Sequence, residues 1–124
     1  GYSPDTAILE RARVRSPRPI LVLRDPAEAI RGADVVNVDV WASMGMEAEQ
    51  ERRLVLFSSY QLDSELLARA REDAIVLHCL PAHRGEEITD EVLEGERSVV
   101  FEQAENKMHI HKAILESFLA GRSR

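Results

Sequence analysis

Two short stretches of this chain concentrate side chains that can bind a ligand or move a proton. The first, 78–89, contains Cys79, the only cysteine of the sequence. The apolar run 74–77 before it predicts a strand, so the thiol follows a strand's carboxyl end, where open α/β sheets bind ligands. Neighbouring imidazoles and Arg84 would favour a reactive thiolate, whereas a lone cysteine is also a common small packed hydrophobe. The residues alone leave these two interpretations even.

The second stretch is Asp-Val-Trp-Ala-Ser-Met-Gly at 39–45, directly after the apolar run 35–38. The carboxylate of Asp39 can hold an ammonium group. The hydroxyl of Ser43, with the amide groups at a helix start, can hold a carboxylate. These are the two charged groups at the end of an amino acid. The physics alone slightly favours a plainer interpretation, in which Asp39 and Ser43 cap the next helix and Met44 belongs to the core.

Other polar groups give weaker signals. The cysteine and histidine spacings match no standard zinc pattern, so we expect no metal; the residues considered are His78, Cys79, His83, His109 and His111. Glu86 and Glu87 could form an acid/base pair, but we expect them to be solvated or paired with Arg84. Lys107, early in the last predicted helix, could reach a phosphate or be an ordinary exposed lysine. No glycine-rich phosphate loop is present, and we expect no cofactor.

Apolar runs alternate with helical patterns along the chain. The runs predict strands at 20–23, 35–38, 74–77 and 98–101. Between and around them, the pattern predicts helices at about 5–12, 25–32, 46–57, 63–70, 89–95 and 104–120. Strands that are solid apolar runs indicate a parallel sheet with helices on both faces, which is a Rossmann-like α/β fold. In such a fold both stretches described above lie at the same edge of the sheet.

The bulk composition restricts the class of protein. A chain of 124 residues is at most one domain, with 44% hydrophobic and 31% charged residues. Its net charge of -6 argues against a nucleic-acid or anionic-membrane partner. A single cysteine and the lack of a leader fit a cytoplasmic location. Because the chain starts at Gly1 without a methionine, we expect that it is part of a longer protein and that one or more strands precede it.

Taken together, these segments resemble the ornithine carbamoyltransferase family. The similarity is carried by 39–45, 78–89 and 100–106, in that order, and 1–5 and 25–29 also fit. The resemblance implies transfer of a carbamoyl group from carbamoyl phosphate to the δ-amino group of L-ornithine, giving L-citrulline and phosphate. It also implies that the chain is an incomplete ornithine-binding domain of a two-domain enzyme, with the carbamoyl-phosphate-binding domain absent. Such a fragment is expected to be inactive alone.

The resemblance also implies roles for individual residues. Asp39, Ser43 and Met44 would bind ornithine. Cys79 would accept a proton near the δ-amino group, and Cys79 and Leu80 would contact carbamoyl phosphate. Full-length members are built on trimers, so a homotrimer or a multiple of trimers is expected.

One position departs from the family pattern. Lys107 stands where the family usually has an arginine that contacts carbamoyl phosphate, and lysine keeps the charge but loses the bidentate fork. Three alternatives remain open. A carbamoyltransferase for putrescine is disfavoured by the carboxylate-binding sequence 43–45, and a nucleotide-binding module by the lack of Gly-x-Gly-x-x-Gly. A non-catalytic α/β binding module is the third.

Overall fold

The computed structural model describes residues 2–42, 45 and 47–120. Two strands, β1 (Val35–Val38) and β2 (Ile75–His78), form a parallel pair in which Val38 lies opposite His78. The predicted parallel α/β arrangement is therefore confirmed. Because both strands run in the same direction, the residues that follow them emerge side by side at one edge of the sheet.

The helices surround this pair in chain order. They are α1 (Thr6–Arg15), α2 (Pro26–Ala29), α3 (Glu47–Phe57), α4 (Ser64–Leu67), α5 (Asp90–Leu93) and α6 (Val100–Leu119), with a 3-10 turn at Ser58–Tyr60. Side-chain caps start three of them, because Asp5, Asp25 and Asp63 each accept a backbone N–H from the first turn. Thr89 precedes α5 but makes no capping hydrogen bond, so that predicted cap is wrong.

Two of the predicted strands are absent from the described residues. Segment 20–23 forms no ladder, and Leu21 is 71% exposed. At 98–101 only Ser98 forms an isolated bridge, to Val76, and the chain then turns into α6 at Val100. Short apolar runs do not by themselves distinguish a strand from a buried helix start, and a strand also needs a neighbour to pair with.

The core lies on one face of the sheet. It consists of buried apolar side chains from the strands, α5 and the connecting segments: Ile30, Leu62, Leu67, Val76, Ile88, Val92, Leu93 and Val100. Ile88 and Leu93, predicted to bracket the start of α5, both belong to this cluster. The opposite face of the strands is open, with Val35 50% exposed.

The longest helix, α6, is buried mainly at its first residue, Val100. The predicted apolar stripe of Ile110, Ile114 and Phe118 is exposed along its length. Despite this apolar surface, no helix within the described residues is both long enough and apolar enough to cross a bilayer.

Candidate functional site

The two polar stretches meet at the carboxyl edge of the sheet. The thiol of Cys79 donates a hydrogen bond to Oδ1 of Asp39 across 3.0 Å, although the two residues are 40 positions apart. The strand register explains the contact, since Val38 and His78 are direct partners and the next residue of each strand follows on. The structure therefore brings together the predicted ornithine-binding carboxylate and the predicted proton acceptor.

The environment of Cys79 favours the neutral thiol. The hydrogen bond to Asp39 is the largest cause that raises the pKa of the Cys79 thiol, followed by partial desolvation and the charge of the same carboxylate. Lys107 lowers this pKa, but by less. Arg84 does not contribute, because it is paired with Asp90 and Glu94. The expectation that neighbouring cations hold a thiolate here is therefore wrong.

A cavity of about 310 Å³ lies between the end of β2 and α6. Cys79 and Lys107 both line it, which agrees with the prediction that the lysine reaches the site. The backbone N–H of His78 donates to Oε1 of Gln103 across 2.9 Å and ties α6 to the strand end. His111 also lines the cavity. The sequence interpretation left it as a surface imidazole, although it follows Lys107 by one helical turn.

The loop after β1 is described only in part. Ser43 and Met44, the other two predicted ornithine ligands, lie outside the described residues. The near end of the loop is anchored by α3, because Nη1 of Arg53 donates to the carbonyl oxygen of Trp41 across 2.8 Å. The same guanidinium forms the predicted i,i+4 pair with Glu49 at 3.0 Å.

Leu80, the predicted carbamoyl phosphate contact, has an unusual backbone. Its φ of 55° is in the left-handed region, which a non-glycine residue rarely adopts. Its N–H donates to Nδ1 of His78 across 2.9 Å, and its half-buried side chain packs against the core. Strained residues of this kind are concentrated at functional sites.

Behind this turn lies a buried ionisable pair that sequence reasoning missed. The side chains of His78 and Glu87 are both fully buried, and Nε2 of the histidine is 3.1 Å from Oε1 of the glutamate. The same oxygen accepts the backbone N–H of His83 across 2.6 Å. The expectation that Glu87 is solvated or pairs with Arg84 is therefore wrong. No local pattern marks the burial, since its neighbour Glu86 is partly exposed.

The carboxylates of this loop also approach an imidazole. One atom each of His83, Glu86 and Glu87 lies within 4.8 Å of the others, an arrangement from which a metal ion could be held. His83 Nδ1 is 3.9 Å from Glu86 Oε2 and 3.8 Å from Glu87 Oε2. Sequence reasoning did not group these three, while His109, which it did consider, is near Glu105 on α6 instead.

Comparison with known proteins follows from this geometry. Residues 1–118 match the family described as aspartate/ornithine carbamoyltransferase, Asp/Orn binding domain. The chain belongs to this family.

Members of the family with curated names are similar over nearly the whole chain. The ornithine carbamoyltransferase of Desulfotalea psychrophila is 63% identical over 119 residues, covering 96% of this chain and 39% of that protein. The enzyme of Syntrophus aciditrophicus is 59% identical over 116 residues, covering 94% of this chain and 38% of that protein. The chain thus spans about two fifths of the length of these relatives.

Solved structures carry the same fold. The crystal structure of ornithine carbamoyltransferase from Gloeobacter violaceus superposes with a TM-score of 0.77 at 50% identity, covering 90% of this chain and 37% of that one. Ornithine transcarbamoylase from Giardia lamblia gives a TM-score of 0.82 at 30% identity, covering 97% and 39%. The resemblance inferred from the motifs and the α/β fold class are both confirmed.

Proposed function

We propose that the full-length protein containing this chain is an ornithine carbamoyltransferase, which converts L-ornithine and carbamoyl phosphate to L-citrulline and phosphate. The observation that carries the proposal is the 3.0 Å contact between Cys79 and Asp39 at the sheet edge. The names of relatives up to 63% identical support the same activity. Residues 1–124 would form an incomplete ornithine-binding domain, and the carbamoyl-phosphate-binding domain would lie in another part of the protein.

The ammonium end of ornithine is bound by Asp39 in this proposal, together with Ser43 and Met44. A free alkylamine is protonated at neutral pH, since it titrates near ~10.4 as lysine does, so it must lose a proton before attack. The thiol of Cys79 and the carboxylate of Asp39 already share one proton and together carry one negative charge. This pair can therefore take up the amine proton.

The attack itself forms a bond between the δ-nitrogen and the carbamoyl carbon. The bond from that carbon to the phosphate oxygen then breaks, and the phosphate leaves with the electron pair. Lys107, on the wall of the same cavity as Cys79, would stabilise the charge on the phosphate, and Leu80 would contact the carbamoyl group. Half of the phosphate site would come from the other domain, so the chain alone is proposed to be inactive.

Turnover of the full-length protein tests the activity directly. Citrulline formation from ornithine is expected, with little product from putrescine, and a preference for putrescine would contradict the proposed substrate. Cys79→Ala is expected to lower kcat by about 10²- to 10⁴-fold, the usual contribution of acid–base catalysis, while the circular dichroism spectrum stays unchanged. An unchanged kcat would remove the thiol from its role.

A matched pair of lysines on α6 tests the phosphate contact. Lys107→Ala is expected to raise KM for carbamoyl phosphate, and Lys107→Arg to restore it, because the charge returns. Lys112→Ala serves as the control, since Lys112 is on the same helix but is not among the residues that line the cavity. Equal KM values for the two alanine variants would contradict the assignment.

We also propose a homotrimer, or a multiple of trimers, and a cytoplasmic location for the full-length protein. The family resemblance supports the first, and the single cysteine supports the second. Light scattering on the purified protein and fractionation of the source cells would test them. No cofactor, nucleic acid or membrane partner is part of the proposal.

A further inference from the structure

A chain of hydrogen bonds leads from the buried interior to the turn that holds the candidate site. Oε1 of Glu87 is 3.1 Å from Nε2 of His78, and Nδ1 of His78 accepts the N–H of Leu80 across 2.9 Å. Both ionisable side chains are fully buried. Cys79 lies between the two residues of the chain that this imidazole contacts, so any shift of the ring moves the thiol.

The bonding partners define the protonation of the imidazole. A backbone N–H can only donate, so Nδ1 of His78 must carry the lone pair and Nε2 the proton. Nε2 then donates to the carboxylate of Glu87. That carboxylate is held in turn by the N–H of His83 across 2.6 Å, so the whole chain of bonds has one orientation.

We infer that Glu87 and His78 are positioning residues for the proposed reaction, which hold the Cys79–Leu80 turn against Asp39 without touching substrate. The kinetic part of this inference rests on the proposed function. Leu80 is the residue that needs holding, because its φ of 55° is unfavourable and the bond to His78 opposes relaxation to an ordinary backbone. Relaxation would draw the Cys79 thiol away from the Asp39 carboxylate.

A purely structural role for the pair predicts something different. If the pair only satisfies buried polar groups, its variants lose stability while the folded molecules keep the same thiol and the same kcat. If the pair positions the turn, the thiol itself changes. The pKa of Cys79 is raised chiefly by the hydrogen bond to Asp39, so a displaced turn lowers that pKa towards its ordinary value.

Two substitutions at His78 separate the two ends of the imidazole. An asparagine amide reaches about as far as Nδ1 and can still accept the Leu80 N–H, whereas a glutamine amide reaches about as far as Nε2 and can still donate to Glu87. In the full-length protein, His78→Asn is expected to keep kcat close to that of the wild type. His78→Gln is expected to lower kcat by about 100-fold with a smaller change in KM, as misplacement of a reacting group does.

Substitutions at Glu87 supply a second pair. Glu87→Gln retains an oxygen that accepts from His78 Nε2, so it is expected to preserve most of kcat. Glu87→Ala removes the acceptor and is expected to behave like His78→Gln. Equal kcat values for His78→Asn and His78→Gln would overturn the inference, whatever the two variants do to the urea midpoint.

A readout that needs no turnover keeps this test separate from the proposed function. The rate of iodoacetamide alkylation of the Cys79 peptide, followed by mass spectrometry across pH, reports the thiol pKa. A lower pKa in His78→Gln and Glu87→Ala, but not in His78→Asn, supports positioning, and identical pH profiles refute it. If the wild-type protein made no citrulline, the proposed function would fail, while the alkylation profiles would still decide whether the pair holds the turn.

Discussion

Removing side-chain volume at Ile88 is expected to show how strongly the core holds the loop that carries the candidate site. Ile88 is 0% exposed and belongs to the core cluster. Its carbonyl oxygen accepts the N–H of Gly85 across 2.9 Å, so its position also sets the end of the loop. Ile88→Ala removes three carbon atoms. At ~0.8 kcal/mol for each buried methylene, the lost transfer free energy alone is about 2.4 kcal/mol.

The cavity left behind adds to this loss, because a packed core closes only in part. We therefore expect Ile88→Ala to lower the free energy of unfolding by about 3–4 kcal/mol and Ile88→Val by about 1 kcal/mol. Urea unfolding followed by circular dichroism, with linear extrapolation to water, measures both values. Val14→Ala is the control, because Val14 is 87% exposed and its change is expected to stay within about 0.5 kcal/mol. A loss for Ile88→Ala no larger than that of the control would refute the assignment of Ile88 to the core.

Three further substitutions test the loop backbones and the thiol. Gly85→Ala is expected to lower the free energy of unfolding by about 1–2 kcal/mol, since φ is 85° and only the backbone conformation is strained, with no atom within 4 Å of the added Cβ. Gly95→Ala is expected to cost more, because its Cβ would lie 2.8 Å from the carbonyl oxygen of Glu91; urea midpoints in the reverse order would contradict this ranking. Asp39→Asn is expected to lower the pKa of Cys79 by removing the carboxylate that raises it, so alkylation at neutral pH becomes faster. A slower or unchanged rate would show that Asp39 does not control the thiol.

Much of the local structure was predictable because its causes lie within a few residues. The caps at Asp5, Asp25 and Asp63 each bond to an N–H two or three positions ahead, and a single sequence contains that information. The strand 35–38 was predicted at its observed bounds, and the next strand within one residue. The segments 20–23 and 98–101 were not, because a strand exists only where a partner lies beside it.

The candidate site divides in the same way. Residue types and their order were enough to single out Asp39 and Cys79 and to identify the family. The parallel strands that end at these residues were also visible as apolar runs. Lys107 was identified by its place early in the last predicted helix, and it does line the cavity that contains the thiol.

Only the tertiary structure decided which groups face one another. Arg84, five positions from Cys79, is bound to Asp90 and Glu94, while a carboxylate 40 positions away controls the thiol pKa. Glu87 is buried against His78, although its immediate neighbour in the sequence is partly exposed. Hydrogen bonds and desolvation depend on distances through space, and those distances follow from how the strands and loops pack. The sequence by itself determined which chemical groups are present at the sheet edge, and packing determined which of them hold a proton and which are buried.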